Sequence, residues 1–206
     1  IENAPGGYDY IAVSAKTTSN ADIAESLACR AKDILSSEGC IVLFQNGYGN
    51  EQAYIKTFSQ HRIYHASFAI GFKRPEPHVS EATVITAPVS IGNIFGFPAE
   101  KCKAFSESID RGGIPCGLTE EIDKTLWAKL LYNCTLNPLS AILATTYGGL
   151  LNSESAISLM EGIISEVFAV MRASGHETFW ENAEAYKKDF FDKIYPPTYG
   201  HRSSTL

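Results

Sequence analysis

The residues of this chain whose types and spacing could do chemistry together are three polar side chains within an apolar segment. Lys129, Asn133 and Asn137 are spaced four residues apart. On an α-helix this spacing keeps them within about 80° of one another along about 12 Å of axis. A buried amide without a partner costs roughly 1–3 kcal/mol, and a lone ammonium costs more. These three residues, which we call the Lys–Asn stripe, are therefore predicted to face a polar ligand. A solvated groove or hydrogen bonds between domains are the alternatives.

Polar residues also follow two predicted strands. The segment Tyr8–Ser14 is apolar and leads into Lys16, and the apolar run Cys40–Phe44 leads into Gln45 and Asn46. Ligands of open parallel sheets bind beyond the carboxyl ends of the strands. We therefore expect Lys16 and Asn46 to face one crevice. The simpler interpretations are a solvated surface lysine and a tight turn at residues 46–47.

Two further loops are weaker candidates for binding. Gly47-Tyr48-Gly49 follows a strand, but Gln52 stands where a dinucleotide loop has its third glycine, and the printed sequence contains no G-x-G-x-x-G. Ser203 and Ser204 form a pair near the end of the sequence that could bind a carboxylate. Ordinary loop composition would also explain that pair.

The elements that must position these residues alternate between strand and helix in the first part of the chain. Strands are predicted at 8–14, 40–44, 62–68, 82–86, 89–92 and 114–117. Helices are predicted at 20–35, 50–58 and 98–109, with Gly39 acting as the stop of the first. This order is typical of an α/β fold with a mainly parallel sheet.

The character of the sequence changes at Leu118-Thr119, after which the pattern is helical. Helices are predicted at 126–148, 152–173 and 178–194, and Gly175 and Pro196 supply stops for the last two. The fold class is therefore α/β followed by all-α, with a first domain over residues 1–118 and a second over 119–206.

Composition excludes several classes of partner. The net charge is −6 and no block of Lys and Arg occurs, so neither nucleic acid nor an anionic membrane is an expected partner. Five cysteines without a C-x-x-C motif indicate free thiols and a cytoplasmic location. His61 and His65 flank a predicted strand and do not have helical ligand spacing, so no metal site is expected.

Four segments together resemble the ketopantoate reductases (2-dehydropantoate 2-reductases). Leu126–Ala141 is similar to the family motif W-x-K-L-x-x-N-x-x-x-N-P-L-[ST]-A, and Gln45–Gly49 to its Q-N-G-x-G loop. Ala12–Lys16 resembles a family strand that ends in V-K, and Arg202–Leu206 the start of a family S-S-M-L-Q-D loop. The resemblance implies a partial Rossmann-type sheet followed by a helical substrate and dimerisation domain. It also implies reduction of a 2-oxo acid by NADPH, in the first place 2-dehydropantoate to pantoate in pantothenate biosynthesis.

The resemblance also implies roles for individual residues. Lys129 matches the general acid, and Asn133 and Asn137 match residues that hold substrate hydroxyl and carbonyl groups. Ser204 matches a serine that binds the substrate carboxylate, and Ser203 precedes it in the same loop as a further substrate-binding candidate.

On the side of the cofactor, NADP(H), Asn46 matches a residue that touches both cofactor and substrate, and Lys16 one near the cofactor phosphates. A homodimer formed through the helical domain is a further prediction.

The chain also departs from the family pattern. The first strand, its G-x-G-x-x-G loop and the later glutamate are missing from the sequence, so we expect an internal fragment that is inactive by itself. Ser19 replaces a common Gln, and Tyr147 stands where some members have an Asn that helps to hold substrate. These two differences favour, as an alternative, a reductase for another 2-oxo acid on the same scaffold. A non-catalytic NADP-binding module is a second alternative.

Overall fold

The computed structural model of the chain describes residues 3–203. The chain divides into two compact units, of which the first reaches Ile122 and the second begins at Asp123. Each unit is described by itself below.

The first unit is built on a five-stranded sheet in which the strands follow one another in chain order. The strands are β1 (Tyr8–Val13), β2 (Leu35–Leu43), β3 (Ile63–Glu76), β4 (Val79–Gly92) and β5 (Cys116–Leu118). Strand β2 is parallel to both β1 and β3, β4 is antiparallel to β3, and β5 is parallel to β4. The predicted α/β class with a mainly parallel sheet is confirmed.

Both faces of the sheet are covered. On β2, Ile41 and Leu43 pack into one apolar cluster with Leu27 of α1 (Asn20–Ala28). The alternate residues Cys40 and Val42 pack into a second cluster on the opposite face. A strand that is buried on both sides has a continuous apolar sequence, and residues 40–44 show this pattern. The helix α2 (Lys103–Arg111) follows β4 in the chain and precedes β5.

The first helix is shorter than the sequence predicts. It ends at Ala28, and β2 begins at Leu35, directly after Ile34, whose carbonyl accepts from the N–H of Tyr8. The prediction that Gly39 stops a helix is wrong, because Gly39 lies inside β2. An added Cβ there would lie 2.5 Å from the Tyr8 carbonyl oxygen, so the glycine permits a close approach of two backbones.

Two other predicted elements differ in the structure. The predicted helix at 50–58 is a short 3₁₀ turn over Asn50–Ala53. The strands predicted at 82–86 and 89–92 are a single strand, β4, which forms a long hairpin with β3. The predicted gap falls at Pro88, where the pairing register shifts between Ser67 and Ala69 of β3. The strand accommodates the proline, which lacks an N–H, at this irregularity and continues.

The second unit is helical, as predicted. Its helices are α3 (Ile122–Ile142), α4 (Tyr147–Leu150), α5 (Glu154–Ala173) and α6 (Ala183–Asp189), and a π-helical turn (Phe190–Ile194) continues α6. Helix α5 carries buried residues at helical spacing, among them Met160, Ile164 and Phe168. Gly175 follows its end with a φ of 80°, a conformation that glycine adopts readily.

The helix predicted over 126–148 is interrupted. Helix α3 ends at Ile142, Ala144 has a φ of 49°, and a new helix begins after Thr146, whose side chain accepts from the N–H of Gly149. The helix predicted at 178–194 begins only at Ala183, because Asn182 caps it. No helix within residues 3–203 is long and apolar enough to cross a membrane.

Candidate functional site

The Lys–Asn stripe lies along α3, as the spacing predicts. Lys129, Asn133 and Asn137 are all half-buried, so each side chain is neither sealed in the core nor fully exposed. The side-chain nitrogen of Asn137 donates to Oδ1 of Asn133 at 3.4 Å. The two amides therefore form a connected pair along one face of the helix. Their role toward a ligand stays a prediction.

Tyr147 extends the stripe from outside α3. Its hydroxyl donates to Oδ1 of Asn137 at 2.5 Å, although the tyrosine lies ten residues further along the chain. The turn at residues 143–146 folds α4 back toward α3 and makes this contact. Helical periodicity cannot reveal such a contact, because the two residues are not on one helix. The only signal in the sequence was that Tyr147 departs from the family pattern.

Burial changes the acid–base properties of the stripe. It lowers the pKa of Lys129 to about 8 and raises the pKa of Tyr147 to about 12. At pH 7 an amine with a pKa of about 8 is roughly nine-tenths protonated, so Lys129 can still donate a proton. Tyr147 remains a protonated phenol at any ordinary pH and can act as a hydrogen-bond donor.

The end of the described chain lies against the same unit. The backbone N–H of Ser203 donates to Oγ of Ser140, which in turn donates to the carbonyl of Thr145 at 2.6 Å. The carbonyl of His201 accepts from the N–H of Tyr147. Ser203 is thus buried beside the end of α3. Ser204, the other predicted carboxylate ligand, lies outside the described residues.

In the first unit, Lys16 and Asn46 are both exposed and follow the ends of β1 and β2. The two loops are joined by Gln45, whose side-chain nitrogen donates to the carbonyl of Ala15 at 2.8 Å and to Oδ1 of Asn20 at 2.7 Å. The structure thus brings together the two loops that the sequence placed at one edge of the sheet.

A network of buried amides, which the sequence does not predict, supports these loops. The side-chain nitrogen of Asn20 donates to Oδ1 of Asn50, and Asn50 donates from its own side chain to the backbone carbonyl of Asn46. The hydroxyl of Tyr54 also donates to Oδ1 of Asn20. Uncharged amides scattered over two loops carry no periodic signal, so their convergence becomes visible only in the fold.

The loop around Asn46 suits a polar ligand. Gly47 has a φ of 94°, a region that glycine tolerates, and an added Cβ would meet no atom within 4 Å. The backbone here is therefore open, with an exposed amide from Asn46 and an exposed ammonium from Lys16 at the same sheet edge. Their role toward a cofactor stays a prediction.

Comparison with known families gives a consistent result for both units. Residues 2–95 match the family model described as ketopantoate reductase PanE/ApbA, and residues 121–206 match the model described as its C terminal. The chain belongs to the ketopantoate reductase family. The resemblance found in the sequence motifs is thereby confirmed.

Curated ketopantoate reductases align with the whole chain or most of it. The 2-dehydropantoate 2-reductase of Aquifex aeolicus is 30% identical over 207 residues, which is 100% of this chain and 66% of that protein. The enzyme of the same name from Vibrio cholerae is 27% identical over 78% of this chain and 52% of its own length. The chain thus spans between about half and two thirds of these relatives.

Solved structures show the same fold. The crystal structure of 2-dehydropantoate 2-reductase from Geobacter metallireducens has a TM-score of 0.80 at 26% identity, covering 98% of this chain and 65% of that one. A ternary structure of D-mandelate dehydrogenase with NADH and anilino(oxo)acetate has a TM-score of 0.73 at 18% identity, covering 98% of this chain and 63% of that one. At 18% identity the second similarity concerns the fold alone.

Proposed function

We propose that this protein reduces the carbonyl of a 2-oxo acid to a hydroxyl group with NADPH, in the first place 2-dehydropantoate to pantoate. The observation that carries the proposal is the Lys–Asn stripe, in which a half-buried ammonium precedes a connected pair of amides on one helix. Membership of the ketopantoate reductase family supports the reaction class.

Lys129 is the proposed general acid. The reaction adds a hydride to the carbonyl carbon, and the electron pair of the C=O bond moves onto the oxygen. That oxygen takes a proton from Nζ of Lys129, which leaves a neutral amine that regains a proton from solvent. The lowered pKa of Lys129 suits this role, because an acid with a pKa near the working pH transfers its proton with little penalty.

Asn133 and Asn137 are the proposed substrate ligands. Their amides can donate N–H groups to the carbonyl and carboxylate oxygens of a 2-oxo acid, which are strong acceptors. Ser203, with Ser204 beyond the described residues, is proposed to bind the substrate carboxylate. Ser203 lies against Ser140 at the end of α3, which supports its placement near the stripe.

Lys16 and Asn46 are proposed to hold the cofactor. The exposed ammonium suits the negative charge of cofactor phosphates, and the exposed amide suits polar groups of the nicotinamide half. A bound reduced nicotinamide supplies the hydride. The preference for NADPH over NADH rests on the family resemblance alone, so both cofactors belong in any assay.

A second candidate is a reductase for a different 2-oxo acid on the same scaffold. The observation that favours it is Tyr147, which is bonded to Asn137 and stands where some relatives have a substrate-holding Asn. A similar fold occurs in D-mandelate dehydrogenase, so the scaffold by itself does not fix the acid.

A substrate panel on the complete protein tests both candidates. Purified enzyme is assayed for oxidation of NADPH and NADH with 2-dehydropantoate, small aliphatic 2-oxo acids and aryl 2-oxo acids. The proposal expects NADPH-dependent turnover with the highest kcat/KM on 2-dehydropantoate. A higher value on another acid would favour the second candidate. Cofactor binding without turnover on any acid would contradict both and would indicate a non-catalytic module.

A further inference from the structure

Three hydrogen-bonded side chains determine which atoms of the stripe are left to donate to a ligand. We call this the hydrogen-bonding polarity of the stripe. The hydroxyl of Tyr147 donates to Oδ1 of Asn137, and the side-chain nitrogen of Asn137 donates to Oδ1 of Asn133. Both amide oxygens are thus engaged by donors within the protein. An amide nitrogen carries two hydrogens. Asn133 can therefore offer two N–H groups to a ligand, and Asn137 can offer one.

Tyr147 is held firmly enough to impose this polarity. It is only 6% exposed, and its backbone N–H donates to the carbonyl of His201 at 2.8 Å. Its own carbonyl accepts from the hydroxyl of Tyr195, and its ring packs edge-on against Tyr132 at 6.2 Å between centroids. Contacts on both the backbone and the ring therefore fix the position of the hydroxyl beside Asn137.

Without this hydroxyl, either the nitrogen or the oxygen of the Asn137 amide could face a ligand. Its nitrogen and oxygen have nearly the same shape, so the hydrogen bonds that each makes decide which atom points where. In the structure the Tyr147 hydroxyl donates to the amide oxygen, and the amide nitrogen donates to Asn133, so the two bonds together hold the amide in one orientation. Lys129, which precedes the amides on the same helix, carries three donors and no acceptor. All three residues of the stripe therefore present N–H groups as donors.

We propose that Tyr147 is a positioning residue that determines specificity: by engaging Oδ1 of Asn137, it makes the stripe a surface of donors that selects ligands whose facing groups are all acceptors. This inference rests on the proposed function, because it takes the stripe as the surface that meets the 2-oxo acid. It goes further by stating that a carboxylate or carbonyl oxygen is preferred over an N–H₂ group at the same position.

Oxalate and oxamate test this selection directly. The two anions have nearly the same shape, but oxamate is a monoanion with an N–H₂ group where the oxalate dianion has a carboxylate oxygen. The readout is therefore the change of the oxalate-to-oxamate ratio between variants, since Tyr147→Phe and Tyr132→Phe leave the charge of the site unchanged. The dissociation constants of both are measured by calorimetry on the complete protein, as wild type, as Tyr147→Phe and as Tyr132→Phe. Tyr132→Phe is the matched control, because it removes a neighbouring phenol hydroxyl that bonds to Thr198.

The proposal expects wild type to bind oxalate more tightly than oxamate. In Tyr147→Phe the Asn137 amide is free to turn and accept from oxamate, so the preference should shrink by about 2- to 10-fold, the range of one hydrogen bond. Tyr132→Phe should keep the wild-type preference. An unchanged preference in Tyr147→Phe, or the same change in both variants, would overturn the proposal.

A second variant keeps the test independent of how Tyr147→Phe folds. Asn137→Leu removes the amide without adding a charge, so it should shrink the preference as Tyr147→Phe does. Failure of wild type to bind either anion, or an unchanged preference in Asn137→Leu, would also overturn the proposal. A shift in preference combined with absence of turnover on every 2-oxo acid would instead leave the polarity supported and the proposed reaction wrong.

Discussion

The side-chain nitrogen of Gln45 lies 2.8 Å from the carbonyl oxygen of Ala15, so a residue that follows β2 holds the chain that follows β1. The same nitrogen donates to Asn20, which belongs to the buried amide network beneath Asn46. The positions of Lys16 and Asn46 therefore depend on one amide that touches neither of their side chains.

Replacement of Gln45 by Ala should disturb both the stability of the first unit and cofactor binding. The change removes one hydrogen bond to the part-buried carbonyl of Ala15 and one to Oδ1 of Asn20, which keeps the Tyr54 hydroxyl as a donor. Each lost bond costs about 0.5–1.5 kcal/mol. The KM for the nicotinamide cofactor should rise because the two loops lose their link. Denaturant unfolding and cofactor titration measure the two effects. Gln60→Ala, at an exposed position, is the control, and equal behaviour of the two variants would contradict this account.

The two asparagines of the stripe should respond differently to truncation. Asn133→Ala and Asn137→Ala should each lower kcat/KM by about 2- to 10-fold, the equivalent of one hydrogen bond to a neutral group. Asn137→Ala should in addition destabilise the fold, since it leaves the buried hydroxyl of Tyr147 without its acceptor. Thermal melts and steady-state kinetics on both variants provide the check. Loss of stability with kcat/KM unchanged would show that the amides are structural.

Removing the charge of Lys129 should stabilise the protein while it impairs catalysis. Its pKa falls from an ordinary value near 10.5 to about 8 on folding. The unfolded chain therefore binds this proton more tightly than the folded protein does. Burial of the ammonium lowers the free energy of unfolding, by the full amount below about pH 8 and not at all above about pH 10.5. Lys129→Met should raise the free energy of unfolding at pH 7 by about 1–3 kcal/mol, and the gain should vanish as the pH rises through that window. A destabilised Lys129→Met at pH 7 would refute the desolvation argument.

The same pKa predicts how the rate of reduction varies with pH. If Lys129 is the acid, only its protonated form is active, so kcat/KM should fall above about pH 8 and approach a tenfold loss for each further pH unit. A profile of kcat/KM from pH 6 to 10 measures this limb. A flat profile across pH 8 would mean that the proton comes from another group.

The sequence predicted those parts of the fold and site that depend on local periodicity. The stripe on α3 follows from a spacing of four residues, and β2 follows from an apolar run. Lys16 and Asn46 could be placed at one sheet edge because parallel strands end on the same side. Each of these inferences uses only residues that are close in the sequence or a general rule of topology.

The remaining features depend on contacts between distant residues. Residues 29–35 have a helical pattern, but pairing with Tyr8 draws Leu35 into β2. Pro88 predicts a strand break, but β4 continues through it because the pairing with β3 shifts register at this point. The bond between Tyr147 and Asn137 depends on the turn after α3, and the amide network beneath Asn46 depends on the packing of three segments. Local propensity carries no information about such partners.

The central claim is that Lys129 donates the proton during reduction, and the kcat of Lys129→Ala in the complete protein tests it most directly. Lys188→Ala, which removes an exposed lysine of α6, is the control for loss of charge. The account predicts that kcat falls by about 10² or more in Lys129→Ala, since a positioned acid contributes typically 10²–10⁴, and that Lys188→Ala matches wild type. A kcat of Lys129→Ala within a few-fold of wild type would contradict the account.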